Sequence, residues 1–394
     1  MTNKTRIAFI GQKGIPTKQG GIEKHVEELS SRLAKAGLDV TVYSRPHYTG
    51  KTKKSYKYQG VRIIGLPSIN TKHLDAITHT FVSTIHALTQ NYDIIHYHGV
   101  GPSLLSWIPR IFSPRTKVVA TFHCIDRNHQ KWGRLAKFAL FLGEWTACRF
   151  PHRTISVSRA LKHYCQIKFN HDVVYIPNGV KTKAAKNSAK ILAENGLVKG
   201  GYITSISRLV RHKGIHTLIK AYNKLNTAKK LVIIGGSSQT DDYVKELHEL
   251  AQGNKNIIFT GEKSGNELNV LFKNAYLFVQ PSESEGLSIA LLEAMAMGVP
   301  ALISDITENR EALGECGLEF KNKSVNDLAQ QLSFACKHPR LLKQKVIEAK
   351  ARALKEYDWE KITKQTSMIY EEVIAESEAE RKAKKILKVY QTNS

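Results

Sequence analysis

The sequence predicts an α/β protein of two facing, doubly wound domains, each with a parallel sheet. Three observations carry that expectation. At 394 residues the chain is longer than one ordinary domain, and two cores of comparable size divide it naturally. Short β-branched runs alternate strictly with amphipathic helical stretches, as in a parallel sheet covered on both faces. The alternation pauses after YIPNG at 175–179 and a connector rich in lysine and alanine, then restarts.

In the first half, residues 7–10, 40–43, 63–65, 94–96, 118–122 and 154–157 read as strands, each a short run dense in β-branched or aromatic residues. Helices between them show in the spacing of Val26, Leu29 and Leu33, and of Leu135, Phe138 and Leu142. In the second half strands are expected at 202–206, 231–234, 257–260 and 277–280. The boundary falls between Asn178 and Lys199, which gives a first domain 1–178 and a second 179–357. Residues 359–373 are expected as a helix with Ile362, Met368, Ile369 and Val373 on one side. Residues 376–394 read as a charged, solvated helical tail. Ligands of such sheets bind beyond the carboxyl ends of the strands, so the cleft between the domains is the expected place for chemistry.

Composition narrows the function classes. Apolar residues at 42% and charged residues at 24% describe a soluble globular chain. The cysteines, Cys124, Cys148, Cys165, Cys316 and Cys336, are scattered and never spaced C-x-x-C, which argues against a disulfide framework and against a zinc site. The first apolar run, 7–10, is too short for a signal peptide, and none reaches the roughly eighteen residues of a membrane span; a cytoplasmic location is expected. The formal charge is +25, and residues 1–180 hold 26 Lys and Arg against 9 Asp and Glu, net +17, with 33 against 25, net +8, in the rest. A basic half suggests an anionic partner, nucleic acid or an anionic membrane face. No nucleic-acid recognition module is present, so nucleic acid is not the expected partner.

Three motifs carry chemistry. Residues 11–23, GQKGIPTKQGGIE, follow a strand and open a helix, where free N–H groups and the helix dipole accept an anion. The glycine spacing is not G-x-G-x-x-G, and the second strand ends in Ser44 and Arg45 rather than an acidic residue, which opposes a dinucleotide. Residues 207–214, SRLVRHKG, end the first strand of the second domain and set Arg208 and Lys213 beside a helix start expected at Gly214, so two cations and a helix N-terminus converge on a phosphate-like group. Residues 280–300, QPSESEGLSIALLEAMAMGVP, keep Glu285 and Glu293 among Leu287, Ile289, Leu291, Leu292, Met295 and Met297. Carboxylates held in so apolar a stretch need donors, and vicinal diols are suitable ones. Gly286 lets the chain turn into a helix whose first N–H groups, Leu287 to Ile289, face the cleft. Together the three motifs describe a ligand with a diphosphate flanked by polyols, a nucleotide sugar.

On these residues the chain resembles the retaining glycosyltransferases of family 4, with their two Rossmann-like domains in the GT-B architecture. The likeness runs nearly end to end, through Gly20-Gly21, the strand ending in His123, ISVSRAL around Ser158, IPNGV, SRLVRHKG, FTGEKSGNELNVLF, the run from Glu285 to Glu293, and YDWEKITKQTSMIYEEV. The resemblance implies that the last stretch is a helix crossing back to brace the first domain. It implies that Glu293 holds the ribose and Glu285 the transferred sugar, with His123 near the reacting carbon. Arg208 and Lys213, with the backbone of Gly20 and Gly21, would stabilise the leaving diphosphate. Gly286, Leu287, Ser288 and Lys263 join the expected donor contacts. The family uses no metal and no cofactor, and no D-x-D string occurs here. Leu287 and Ser288 stand where the family often has Phe-Gly, and Ser288 is expected to cap the helix or bind a sugar hydroxyl. Cys124 stands where an aspartate is common, so Asp126 and Arg127, with Glu23, are the candidates for acceptor contacts. Retention of anomeric configuration is implied; a GT-B epimerase or phosphorylase and an NAD(P)-dependent oxidoreductase are the competing readings.

Residues 127–145 mix Lys131, Arg134 and Lys137 with Trp132, Phe138, Phe141 and Trp145. Such a helix can lie on an anionic bilayer or turn its Leu/Phe face into the domain. With the basic first half, the expectation is docking on an anionic membrane surface and a glycan or lipid-linked acceptor.

Overall fold

The computed structural model describes residues 4–50, 54–71, 74–128, 132–181 and 184–392, without the side chains of 377–378 and 380–392. Lys131 lies outside the described residues. The first sheet has strands β1 (Arg6–Ile10), β2 (Asp39–Ser44), β3 (Ser55–Tyr58), β4 (Val61–Gly65), β5 (Ile94–His98), β6 (Lys117–Phe122), β7 (Arg153–Ser156) and β8 (Val174–Tyr175), in the order β3-β4-β2-β1-β5-β6-β7-β8. All pairs are parallel except β3 with β4. The second sheet, β9 (Tyr202–Ile206), β10 (Lys230–Ile234), β11 (Ile257–Gly261), β12 (Leu277–Gln280), β13 (Ala301–Ser304) and β14 (Leu318–Phe320), is wholly parallel in the order β11-β10-β9-β12-β13-β14.

The expected strands are all present, and β3, β8, β13 and β14 are additional. β3 is an antiparallel edge of sequence SYKY whose residues alternate between exposed and half-buried, a face too polar to read as core. β13, reading ALIS, directly follows an apolar helix, so its run merges with the helix's own.

In each sheet the strand order reverses beside the first strand, between β1 and β5 and between β9 and β12. Crevices open at such switch points, and the glycine loop follows β1 while SRLVRHKG follows β9 and QPSESEG follows β12. The two crevices therefore face one another.

The domains are joined below the cleft. Phe122, Val157 and Leu161 of the first share a core with Leu287, Leu291 and Leu292 of the second. Glu311 of the second domain accepts the N–H groups of Arg159 (2.7 Å) and Ala160 (3.0 Å), setting a carboxylate at the N-terminus of helix Arg159–Phe169. Where the chain returns, Val180 N–H donates to Tyr357 O at 2.7 Å, and a β-bridge links Val180 with Asp358.

The last helix, Trp359–Thr392, is longer than expected and takes in the charged tail. Its Trp359, Ile362, Ile369, Tyr370 and Val373 pack into the first domain's core with Ile7, Val26 and Leu29. Met368, expected on that face, is 49% exposed, because the stripe of a straight helix passes through 366, 369, 370 and 373 instead.

Candidate active site

The cleft holds a cavity of about 400 Å³, the size of a nucleotide-scale site. One wall is the glycine loop and the start of helix Gly21–Lys35, with Gly20, Gly21 and Lys24; the other carries Arg208, Lys213, Lys263, Glu285, Leu287, Ser288 and Glu293. Nine of the residues singled out in the sequence thus meet around one space.

Helix Ile289–Met297 anchors the carboxylate side. All its residues are buried except Ala290, so it sits inside the domain rather than on it. Ser288 is its cap, its Oγ accepting from Leu291 N–H at 3.3 Å while donating to Gln280 Oε1 at 2.7 Å. The helix starts at Ile289, two residues later than the expected run of N–H groups. Glu293 is 6% exposed and ion-pairs with Lys24 from across the cleft. Glu285 accepts from Lys213 Nζ at 2.6 Å.

Lys213 ends a 3₁₀ turn, Arg211–Lys213, and the helix begins at Ile215 rather than Gly214. Gly214 adopts φ 68°, and a side chain there would run into Pro281 O, so the turn packs directly against the start of the carboxylate loop. Gly286 is held as closely: a Cβ there would lie 1.6 Å from His123 O. This contact fastens the carboxylate loop to the end of β6 in the other domain.

His123 stands behind Gly286, 6% exposed, outside the cavity lining. Its Nε2 lies 3.2 Å from His98 Nδ1 at the end of β5. Burial first, and then His25 and His96, hold its imidazole well below the usual range, so it is neutral. His25 Nδ1 is 2.9 Å from Asn178 Oδ1, and Asn178 Nδ2 donates to Leu287 O at 2.8 Å, so this pair also bridges the domains. Sequence reasoning did not single out Lys24, His25, His98 or Asn178. Lys24 and His25 follow directly on the glycine motif and Asn178 lies within IPNG, which is the signal that was there to use.

The three acceptor candidates do not come into the cavity. Glu23 turns back to accept the N–H of Lys13 at 3.1 Å and so shapes the glycine loop. Asp126 Oδ1 accepts from Cys124 Sγ at 3.2 Å. Burial, with Asp126 adding, pushes the Cys124 thiol well above its usual range. Arg127 Nε donates to both oxygens of fully buried Glu144 at 3.0 Å, and its Nη2 to Tyr164 Oη at 2.7 Å. A carboxylate without solvent requires such a partner, so Arg127 is engaged within its own domain. Lys13, by contrast, stands within electrostatic reach of Arg208 and Arg45, and burial ahead of those two cations lowers its ammonium pKa despite Glu23.

The chain is matched in its two halves by two family models, "Glycosyltransferase Family 4" over residues 19–184 and "Glycosyl transferases group 1" over 187–353. It is 25% identical to a glycogen synthase of Mycobacterium tuberculosis, over 93% of this chain and 94% of that one. It is equally 25% identical to a phosphatidyl-myo-inositol mannosyltransferase of Mycobacterium leprae, over 90% and 93%. The Anabaena protein HepE, crystallised with UDP and glucose, superposes with a TM-score of 0.77 at 18% identity, covering 93% of this chain and all of that one. Two doubly wound domains, a cleft lined at both switch points and family matches from residue 19 to 353 lead to one conclusion: the chain is a GT-B glycosyltransferase, of family 4 in its first half and group 1 in its second.

Proposed function

We propose that the chain moves a sugar from a nucleotide-sugar donor to a glycan or lipid-linked acceptor with retention of configuration, in cell-surface polysaccharide or glycolipid synthesis. One observation carries the reading: the glycine loop, the Arg208 and Lys213 pair and the Glu285 to Glu293 segment line a single cavity. Glu293 takes the ribose diol, and Lys24 must yield to it. Glu285, held by Lys213, takes hydroxyls of the transferred sugar. Arg208, Lys213 and the amides after Gly20 receive the charge that develops on the diphosphate, in place of a metal ion. Neutral His123, behind Gly286 and outside the cavity lining, adds no charge on that side of the site. In a retaining transfer the acceptor attacks from the face the nucleotide leaves, and a donor phosphate oxygen takes its proton, so the protein supplies orientation rather than a strong base.

The acceptor side rests on the surface of the first domain. No described helix is long and apolar enough to cross a membrane. Helix Arg134–Arg149 exposes Leu135 (87%) and Phe138 (61%) beside exposed Arg134 and Lys137, and Ile111 and Phe112 are exposed on helix Trp107–Phe112. Phe141 instead turns inward against Phe169. An apolar and cationic face of this kind suits the inner, anionic leaflet. A thermal-shift screen of UDP-, GDP-, ADP- and dTDP-sugars against NAD(P) tests the donor. Stabilisation by a dinucleotide alone refutes the reading, and product NMR with an inverted anomeric carbon refutes retention.

A further inference from the structure

His25, from the helix after the glycine loop, and His98 and His123, from the ends of β5 and β6, gather behind the donor site. All three rings are buried, and one nitrogen of each lies within 4.8 Å of the others. The 3.2 Å between His98 Nδ1 and His123 Nε2 is close to the spacing of two nitrogens on one tetrahedral ion, about 3.4 Å for metal–nitrogen bonds of about 2.0–2.1 Å.

His25 is the more telling member. Asn178 Nδ2 donates to Leu287 O, so its Oδ1 faces His25 and His25 Nδ1 must be the protonated nitrogen. That leaves His25 Nε2 with its lone pair, buried and without a hydrogen-bond partner. A ring whose far nitrogen is fixed by a carbonyl-type acceptor, with its near lone pair unused, is how metal-ligating histidines are held. His98 Nδ1 and His123 Nε2 share one hydrogen-bonding proton, and the buried, unpartnered Nε2 of His98 is where that proton moves when both lone pairs turn to an ion.

We infer that His25, His98 and His123 form a binding site for a borderline divalent transition ion, with Zn²⁺ as the natural probe and a fourth position left to water. Because His123 O packs against Gly286, drawing the rings together displaces the carboxylate loop, so occupancy inhibits transfer; this clause alone rests on the function proposed above.

The test uses full-length protein stripped with EDTA and titrated with ZnSO₄ by calorimetry and with CoCl₂ by visible absorption. One ion per chain is expected, with the d–d bands of tetrahedral Co²⁺, and His25→Gln and His98→Gln each weaken binding tenfold or more. Independently of whether the variants fold, ¹⁵N-imidazole spectra of the wild-type protein give a second reading, in which Zn²⁺ shifts three histidine spin systems together. Absence of binding at 100 μM Zn²⁺, or binding unchanged in both folded variants and spread over other histidines, overturns the site. Binding is read without turnover, so a protein that takes up the ion but transfers no sugar contradicts the proposed function and leaves this site standing.

Discussion

Lys24 of the first domain ion-pairs with Glu293 of the second, closing the cleft at the point where the ribose is expected. Glu293 is the one carboxylate on an otherwise apolar, buried helix, so it requires a donor at all times, and the lysine serves when no ligand is bound. Glu293→Gln should weaken binding of the nucleoside diphosphate by about 10- to 100-fold, the range for a lost charge-assisted hydrogen bond. Lys24→Met, which removes the ion pair that competes with the ribose, should tighten it. Calorimetry on both variants decides the matter, and equal weakening would make Lys24 a ligand of the donor rather than its competitor.

Arg208 lines the cavity, and Lys213 reaches it while holding Glu285 at 2.6 Å. Arg208→Ala should lower kcat by about 10²-fold or more, as loss of one transition-state donor does. Lys213→Met should do as much and also raise KM for the sugar donor, because Glu285 loses the cation that orients it. Steady-state kinetics separates the two, and an unchanged kcat for Arg208→Ala removes that residue from the chemistry.

Gly286→Ala forces a methyl group toward the main-chain oxygen of His123, which cannot swing away as a side chain would. The expected cost is about 1–3 kcal/mol in urea unfolding, typical of overpacking, with transfer activity falling further because the carboxylate loop moves off β6. Full stability in the variant would show that the two domains do not meet there.

Much of the cavity's lining was legible because its residues lie in short segments at strand ends, where periodicity breaks and polar or glycine residues stand out. Gly20, Arg208 and Glu285 are of that kind, while Glu293 stands out as the one carboxylate of an apolar helix. The partners that complete the site were not legible. Lys24 reads as one more exposed helix lysine until the second domain places Glu293 opposite it. Arg127 looks like a cleft residue beside His123, yet the buried carboxylate it serves, Glu144, lies 17 positions on in a helix whose packing the sequence leaves open. Met368 passes for core by composition and is excluded only by helix phase.

The exposed apolar face of the first domain gives a direct expectation for membranes. Leu135→Glu with Phe138→Glu should cut partitioning onto anionic vesicles by at least tenfold in a flotation assay, while thermal stabilisation by the donor nucleotide is unchanged, because neither residue reaches the cavity. Raising salt should weaken wild-type binding as the cations Arg134 and Lys137 are screened. Equal partitioning of wild type and double variant would place the contact elsewhere.

Acid should unfold the first domain through a histidine outside the cavity lining. His79, on helix Asp75–Leu88, is fully buried, and burial, with Arg45 nearby, pulls its pKa to about 3. An unfolded histidine titrates near about 6.5, so between those values the unfolded chain binds a proton that the folded protein refuses. Stability then rises with pH across this window and is lost as pH falls below about 6.5, by up to about 1.4 kcal/mol per pH unit for one such group. His79→Leu fills a similar volume without a titrating ring, so its unfolding midpoint in urea should match wild type near pH 8 and exceed it near pH 5. Parallel pH dependence in the two proteins would show that His79 takes up its proton in the folded state, which its surroundings of Arg45 and buried side chains oppose.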